Sequence, residues 1–233
     1  MSRSVPEPGT GQPTGVPVDA TPARWPQAVT LHGRYGRVEK CGPQHAEPLW
    51  REVRGHDALW TYMSGGPFAD FAAFEQWIAL RIRSDISCSY AIVTPQGEPL
   101  GIAALMEIRP EARVCEVGSV LYAPRLQRTP LGTEAQYLLA RYALETLGYR
   151  RYEWKCNSLN AASRAAALRY GFTFEGVLRA HMIVKGCNRD TAYFSMLEDE
   201  WPARRTALER WLAPENFDAR GRQKVSLASL RGT

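Results

Sequence analysis

No apolar run in this chain approaches the roughly 18 residues that a membrane span needs. The N-terminus has no apolar core of the kind a secretory signal carries. A soluble, cytoplasmic protein with no membrane partner is the expectation. The five cysteines, Cys41, Cys88, Cys115, Cys156 and Cys187, include no C-x-x-C pair, and an odd number cannot close into a complete set of bridges. They are expected to be reduced thiols. His32, His45, His56 and His181 show no metal-ligand spacing, and neither H-x-x-x-H nor H-E-x-x-H occurs, so no metal is expected. Cys115 and Cys156 have no His-Asp arrangement that would mark a thiolate nucleophile, and both read as small core residues.

What is present suffices for one well-filled core: 233 residues, 45% of them hydrophobic and 23% charged. Pro6, Pro8, Pro13, Pro17, Pro22 and Pro26, interleaved with Gly9, Gly11 and Gly15, make residues 1–26 a disordered extension by expectation. The net charge of +5 is concentrated at the other end, where residues 203–233 hold seven Lys/Arg against three Asp/Glu, or +4. A nucleic-acid face needs basic residues spread along a folded surface beside aromatic or helical readers. A solvated basic tail over 213–233 fits better, and no nucleic-acid partner is expected. A polyanionic cofactor is another use for positive charge. The folded domain is then 27–212.

Along that domain a short strand near Gly36–Lys40 precedes a helix near Gln44–Arg54 and an aromatic loop, Leu59–Phe68. Phe71, Phe74, Ile78 and Ile82 recur at helical spacing. From Ser89 the period becomes that of strands: Tyr90–Thr94, Leu100–Ile108 and Arg113–Tyr122 form an antiparallel meander with turns at 95–98 and 109–112. Thr129-Pro130 opens a long helix with the apolar stripe Leu131, Ala135, Leu138, Leu139, Tyr142, Ala143 and Leu147, closed by Gly148. Strand Arg151–Asn157 follows, then a helix from Asn160 to Gly171. The strand-helix-strand connection sets Arg113–Tyr122 and Arg151–Asn157 parallel, so the sheet is mixed. A closing hairpin over 172–197 and a helix to Leu212 complete the chain.

Where a strand runs into a helix N-terminus, unpaired N–H groups and the helix dipole favour an anion. Gln127-Arg-Thr-Pro-Leu-Gly-Thr-Glu-Ala135 occupies that junction. Gly132 leaves room for a pyrophosphate, while Arg128, Thr129 and Thr133 offer donors. Taken alone, the segment reads better as an ordinary Thr-Pro-capped helix.

Glu116-Val-Gly-Ser through Thr133-Glu-Ala135 resembles the acyl-CoA motif of the GNAT acetyltransferase superfamily. A second block, Asn160-Ala-Ala-Ser-Arg164 through Tyr170-Gly-Phe172, is similar to that superfamily's N-x-x-S/A…G-F element. A third, Gly186-Cys-Asn-Arg-Asp190 with Tyr193, Ser195 and Glu200-Trp201, resembles the Rim-type ribosomal-protein N-terminal acetyltransferases and their bacterial relatives. The blocks stand in family order, which is more specific than any one of them. Two positions depart from pattern. Pro130 stands where the Q/R-x-x-G-x-G/A loop has its middle glycine, removing one N–H donor. Ala167 stands where many members carry a tyrosine that protonates the departing thiolate.

The resemblance implies an α+β fold: a mixed, mostly antiparallel sheet splayed between its central parallel strands, with helices on both faces. It further implies acetyl-CoA as cosubstrate, held by Val120, Leu121, Tyr122, Gln127, Arg128, Thr129, Leu131, Gly132, Thr133, Asn160 and Ser163. Backbone N–H groups near 120–122 would polarise the thioester carbonyl. A primary amine, carried by a small molecule or a peptide, would attack directly and give up a proton. Glu116 is the first candidate base; its other reading is a strand-end charge paired with Arg113 or Arg151. Glu153 and Asp190 are weaker candidates, Asp190 reading more naturally as part of a hairpin ion pair. Ser163, or water it holds, replaces the missing tyrosine.

Trp60, Tyr62 and Phe68 are the candidates for the acceptor wall, although aromatics in a helix linker are more often core plugs than substrate contacts. Members of this group often pair through their C-terminal strands, which makes a homodimer a state to test. The alternative to an enzyme is a non-catalytic CoA-binding or regulatory module, motivated by Pro130 and Ala167.

Overall fold

The change to strand periodicity near residue 88 becomes the middle of an eight-stranded sheet in a computed structural model, which describes residues 4–231. The elements run β1 (Ser4–Pro6), β2 (Pro13–Gly15), β3 (Thr30–His32), β4 (Arg37–Lys40), α1 (Ala46–Val53), α2 (Phe71–Ile82), β5 (Cys88–Val93), β6 (Pro99–Arg109) and β7 (Val114–Tyr122). There follow α3 (Pro130–Arg141), β8 (Arg151–Asn157), α4 (Ala161–Tyr170), β9 (Thr173–Val184), β10 (Cys187–Leu197), α5 (Trp201–Leu212) and α6 (Leu227–Leu230). The spatial order is β3-β4-β5-β6-β7-β8-β10-β9, with β7 and β8 the one parallel pair among the described residues. Among the described residues no helix is long and apolar enough to cross a membrane.

Caps set the two helices that flank the parallel pair. Thr129 accepts the Gly132 N–H through its side chain at 3.1 Å, with Pro130 in the first turn. Asn160 accepts from Ser163 N at 3.0 Å, and Gly171 closes α4 at φ +99°, a left-handed geometry that glycine adopts without strain. Past Arg141 the α3 helix widens into a π turn, Tyr142–Thr146.

Alternation along the strands sorts side chains between two cores. Cys115, Val117, Tyr152, Trp154 and Cys156 lie with Leu138, Leu139, Ala167 and Trp211 in one cluster. Ile102 and Leu121 lie with Leu49, Trp60, Phe74 and Trp77 in the other, under α1 and α2. The sheet is thus covered on both faces, as the sequence led us to expect.

Both termini differ from expectation. Residues 4–15 form the small exposed hairpin β1–β2. The chain joins the body before residue 27: Ala23 is buried and donates to Pro110 O, and Arg24 donates to Leu147 O. At the other end the expected loose tail folds back. Asn216 is buried, donates to Trp211 O and Val225 O, and accepts from Val225 N. Phe217 packs edge-on against Trp211 at 5.2 Å, and Leu227 is buried. Composition registered the basic charges there, while a few apolar anchors and one buried amide decide the packing.

Candidate active site

The parallel ladder between β7 and β8 runs from Val114–Arg151 to Val117–Trp154 and stops there, although β7 continues to Tyr122 and β8 to Asn157. On β7 a bulge explains the break. Ala104 pairs with Gly118 and Ile102 with Leu121, so one residue of β6 faces two of β7, and Ser119 takes φ +50°. Such an insertion bends a strand and raises its twist. Downstream, β7 remains with β6 and β8 with β10, so the facing edges of residues 118–122 and 155–157 lack ladder partners. A slot lined by unpaired backbone groups is what an extended thioester arm and its carbonyl require.

At the slot's end lies the N-terminus of α3. Among the described residues the N–H groups of Arg128, Thr129 and Leu131 have no acceptor, and Arg128 holds φ +60°. Pro130 contributes none. The hydroxyls expected as donors do not face the loop: Thr129 Oγ1 donates to Leu126 O at 2.7 Å, and Thr133 is buried with its Oγ1 against Arg169 Nη1 at 3.0 Å. Gln127 Nε2 donates to Tyr122 O at 3.1 Å, tying the exposed loop to the strand end. Gly132 is demanded by the chain's own atoms, because a Cβ there would come within 2.9 Å of Leu126 O and 3.1 Å of Tyr122 Cε2. The Tyr122 hydroxyl donates to Gly132 O at 2.8 Å and accepts from Gln136. Leu131 is buried. The anion site therefore rests on backbone N–H groups, with threonine side chains shaping the turn. These donors and the slot beyond them fit a pyrophosphate with an extended arm.

Beside the slot, on the strand face opposite Cys115 and Tyr152, stands a buried charged cluster. Glu116 and Glu153 are partners in the ladder. Lys155 Nζ lies 3.1 Å from Glu116 Oε2 and 3.1 Å from Glu153 Oε2. The expected partners of Glu116, Arg113 and Arg151, lie elsewhere: Arg113 binds Gly148 O and Glu198, while Arg151 binds Glu153 and Glu175. Burial pushes the Glu116 carboxyl up to about 7, with the Lys155 ammonium opposing and Glu107 and Glu153 adding to the rise. Glu153 goes the other way. Burial raises it too, but hydrogen bonds from Arg151 and Lys155 hold it below the ordinary carboxylate value. Glu116 is thus the carboxylate suited to exchange a proton near neutrality.

Ser163 accepts the Trp154 indole N–H at 3.0 Å, and Ala167 is fully buried, so this stretch of α4 presents no phenol. Among the described residues Asp190 makes no ion pair. It sits at the β9–β10 bulge, where Oδ1 accepts from Ala180 N at 2.7 Å and from Asn188 Nδ2 at 3.0 Å. His181 is exposed, bonded to Thr191 Oγ1 at 3.0 Å.

The aromatic loop divides. Trp60, expected at an acceptor wall, is 2% exposed and packs against Phe68, Phe74 and Trp77 with ring centroids 5.0 to 6.2 Å away. Phe68 belongs to the same cluster. Only Tyr62 faces out, and its hydroxyl donates to Leu159 O, beyond β8, at 3.2 Å. From the β9–β10 turn Lys185 Nζ reaches Trp60 O at 2.7 Å. Lys155 and Lys185 escaped the sequence reading. For Lys155 the signal was there: Glu153 and Lys155 alternate with Tyr152, Trp154 and Cys156, which gives the strand one polar face.

Residues 38–173 match the acetyltransferase (GNAT) domain family. A crystal structure of a GCN5-related N-acetyltransferase from Brucella melitensis is 43% identical and superposes with a TM-score of 0.89, over 92% of this chain and 99% of that one. A Bacillus subtilis (strain 168) protein named as a ribosomal N-acetyltransferase, YdaF, is 31% identical over 105 residues. That match spans 45% of this chain and 57% of the length of the relative. RimL, described as a ribosomal L7/L12 alpha-N-protein acetyltransferase in complex with coenzyme A, shares the fold at a TM-score of 0.63 and 18% identity, over 74% of this chain and 99% of its own.

Proposed function

The chain belongs to the GNAT acetyltransferase domain family, and from that premise we propose that it moves an acetyl group from acetyl-CoA to a primary amine on a peptide or small-molecule acceptor. The observation that carries this reading is the parting of β7 from β8 after Val117 and Trp154, with Glu116 one residue before the break. When bound, acetyl-CoA supplies an activated acyl carbon: the acceptor nitrogen forms the C–N bond as the C–S bond breaks, and the sulfur leaves as thiolate.

The chain's own groups have definable parts in that exchange. Backbone N–H groups of 128, 129 and 131 hold the pyrophosphate. Unpaired N–H groups on β7 between Gly118 and Tyr122 bind the carbonyl oxygen, where developing charge needs a preorganised donor. Glu116, ionised, takes the proton that the attacking amine sheds, directly or through one water. The Ser163 hydroxyl accepts Trp154 Nε1–H and has the Cys156 sulfur as its other neighbour, so on this reading its proton turns from that sulfur to the departing thiolate. Tyr62, bridging to Leu159, borders the acceptor entrance.

The names of YdaF and RimL favour a protein or peptide amine as acceptor. Calorimetry with acetyl-CoA, followed by thiol release with a panel of peptides bearing a free α-amine and of small amines, tests the assignment. Saturable binding with turnover on at least one acceptor supports it, and failure to bind at millimolar acetyl-CoA contradicts it. Buried Ala167 favours a second reading, a CoA-binding module without catalysis. Binding without turnover on every acceptor would select that reading.

A further inference from the structure

Lys155 serves two carboxylates, but they do not depend on it equally. Glu153 Oε1 also accepts from Arg151 Nε at 2.7 Å, and its Oε2 from Arg109 Nη2 at 3.0 Å. Two guanidinium groups therefore neutralise Glu153 without the lysine. Glu116 has no second cation among the described residues, and its remaining charged neighbour, Glu107 of β6, is of like sign. The charge of Lys155 is thus most needed at Glu116.

The ammonium is also held in place. The Lys155 side chain is 12% exposed, and its ammonium lies 4.9 Å from the centroid of the ring of Tyr193, the residue paired with Lys155 across β8 and β10. A cation over an aromatic face is held more firmly as water is excluded. Burial works against a charged lysine, yet Glu116 and Glu153 together raise it above its ordinary value. Glu153 keeps Lys155 in position whichever way Glu116 is protonated. A base that gains and loses a proton each cycle can have a fixed counter-charge only if that charge has a second anchor.

We propose that Lys155 is a positioning residue for this reaction: gripped by Glu153 and the Tyr193 ring, it orients the Glu116 carboxylate and supplies the counter-charge on which its work as proton acceptor depends. This rests on the reading of Glu116 as the base. The groups facing Glu116 are Glu107 of β6 and Glu153 and Lys155 of β8, with Tyr193 of β10 behind the lysine. Removing the ammonium leaves burial and two carboxylates acting on Glu116, all in the direction that protonates it. Removing Glu153 does the reverse, since it deletes a like charge and leaves Lys155 to Glu116 alone.

The test is the pH profile of kcat/KM in the full chain for Lys155→Met, Lys155→Arg and Glu153→Gln, beside acetyl-CoA affinity and the NMR titration of the Glu116 carboxyl, assigned with Glu116→Gln. Lys155→Met is expected to move the half-maximum of the profile alkaline by about one unit or more, a loss of about fivefold or more at neutral pH that alkaline assay recovers. Lys155→Arg restores the profile, and Glu153→Gln moves it toward acid. A Lys155→Met profile that stays at the wild-type position would overturn the proposal, and Lys155→Gln takes its place if the methionine variant does not fold. A carboxyl titration that moves while the rate profile stays would instead overturn Glu116 as the base. A titration that does not move overturns the part given to the lysine alone.

Discussion

Glu116 and Glu153 stand in register on neighbouring parallel strands and share one ammonium, yet their carboxyls are driven in opposite directions from the ordinary value. The difference lies in what else each one touches. Glu153 has Arg109 and Arg151, whereas Glu116 has burial and a like charge at Glu107. Two identical side chains thus stand in different surroundings, one held as an anion by guanidinium groups and one pushed by burial toward its protonated form.

That asymmetry has a stability consequence. A carboxyl raised in the fold binds its proton more tightly there than in the unfolded chain, so it costs stability as pH rises from the unfolded value toward about 7. Glu116→Gln is therefore expected to raise Tm at pH 8, by the equivalent of about 2 kcal/mol, and to change it little at pH 5. Thermal melts at the two pH values check this; equal shifts at both would contradict the burial account.

Gly132→Ala is expected to weaken acetyl-CoA binding. The new methyl group must displace Leu126 O or the Tyr122 ring, both of which border the anion cradle. A loss of about tenfold in affinity, with a stability cost of about 1 to 3 kcal/mol from overpacking, is the expected outcome. Calorimetry and chemical denaturation measure the two effects separately.

In the aromatic loop, Trp60→Ala and Tyr62→Phe should behave as different kinds of change. Emptying the Trp60 site removes the centre of a buried cluster and is expected to cost about 3 to 5 kcal/mol of stability. Tyr62→Phe loses a surface hydrogen bond to Leu159 O, so stability stays within about 1 kcal/mol while kcat/KM for the acceptor falls. Denaturation curves beside kinetics with acceptor varied at fixed acetyl-CoA will show whether the two effects separate.

The docked C-terminus supplies another check. Asn216→Ala leaves Trp211 O, Val225 O and Val225 N without their partner and is expected to destabilise by about 1 to 3 kcal/mol. Truncation after Leu212 should lower Tm further, because Phe217 and Leu227 leave the core with it. A truncated chain as stable as the full one would restore the loose tail that composition suggested.

Much of the scaffold was readable because each signal was local. Thr129-Pro130, Asn160 and Gly171 mark helix ends through groups that act on their own backbone, and the strand at 151–157 shows its alternation directly. The site was legible as far as its elements were. Side-chain pairing was harder, since nothing local says that Glu116 meets Lys155, 39 positions along the sequence, in place of the nearby Arg113. Trp60 was ambiguous for a related reason: an aromatic in a loop is core or wall depending on which helix it meets, and here it meets α2. The tail misled because its exposed charges outnumber the few residues that anchor it.

The most direct measurement is the pH dependence of kcat/KM for acetyl transfer to a responsive peptide amine, compared between the native chain and Glu116→Gln. The native profile is expected to climb through a half-maximum near pH 7, where the Glu116 carboxyl gives up its proton. In Glu116→Gln that rise should vanish, with a rate at least about a hundredfold lower and acetyl-CoA affinity unchanged. A glutamine variant with the native rate and profile would contradict Glu116 as the proton acceptor.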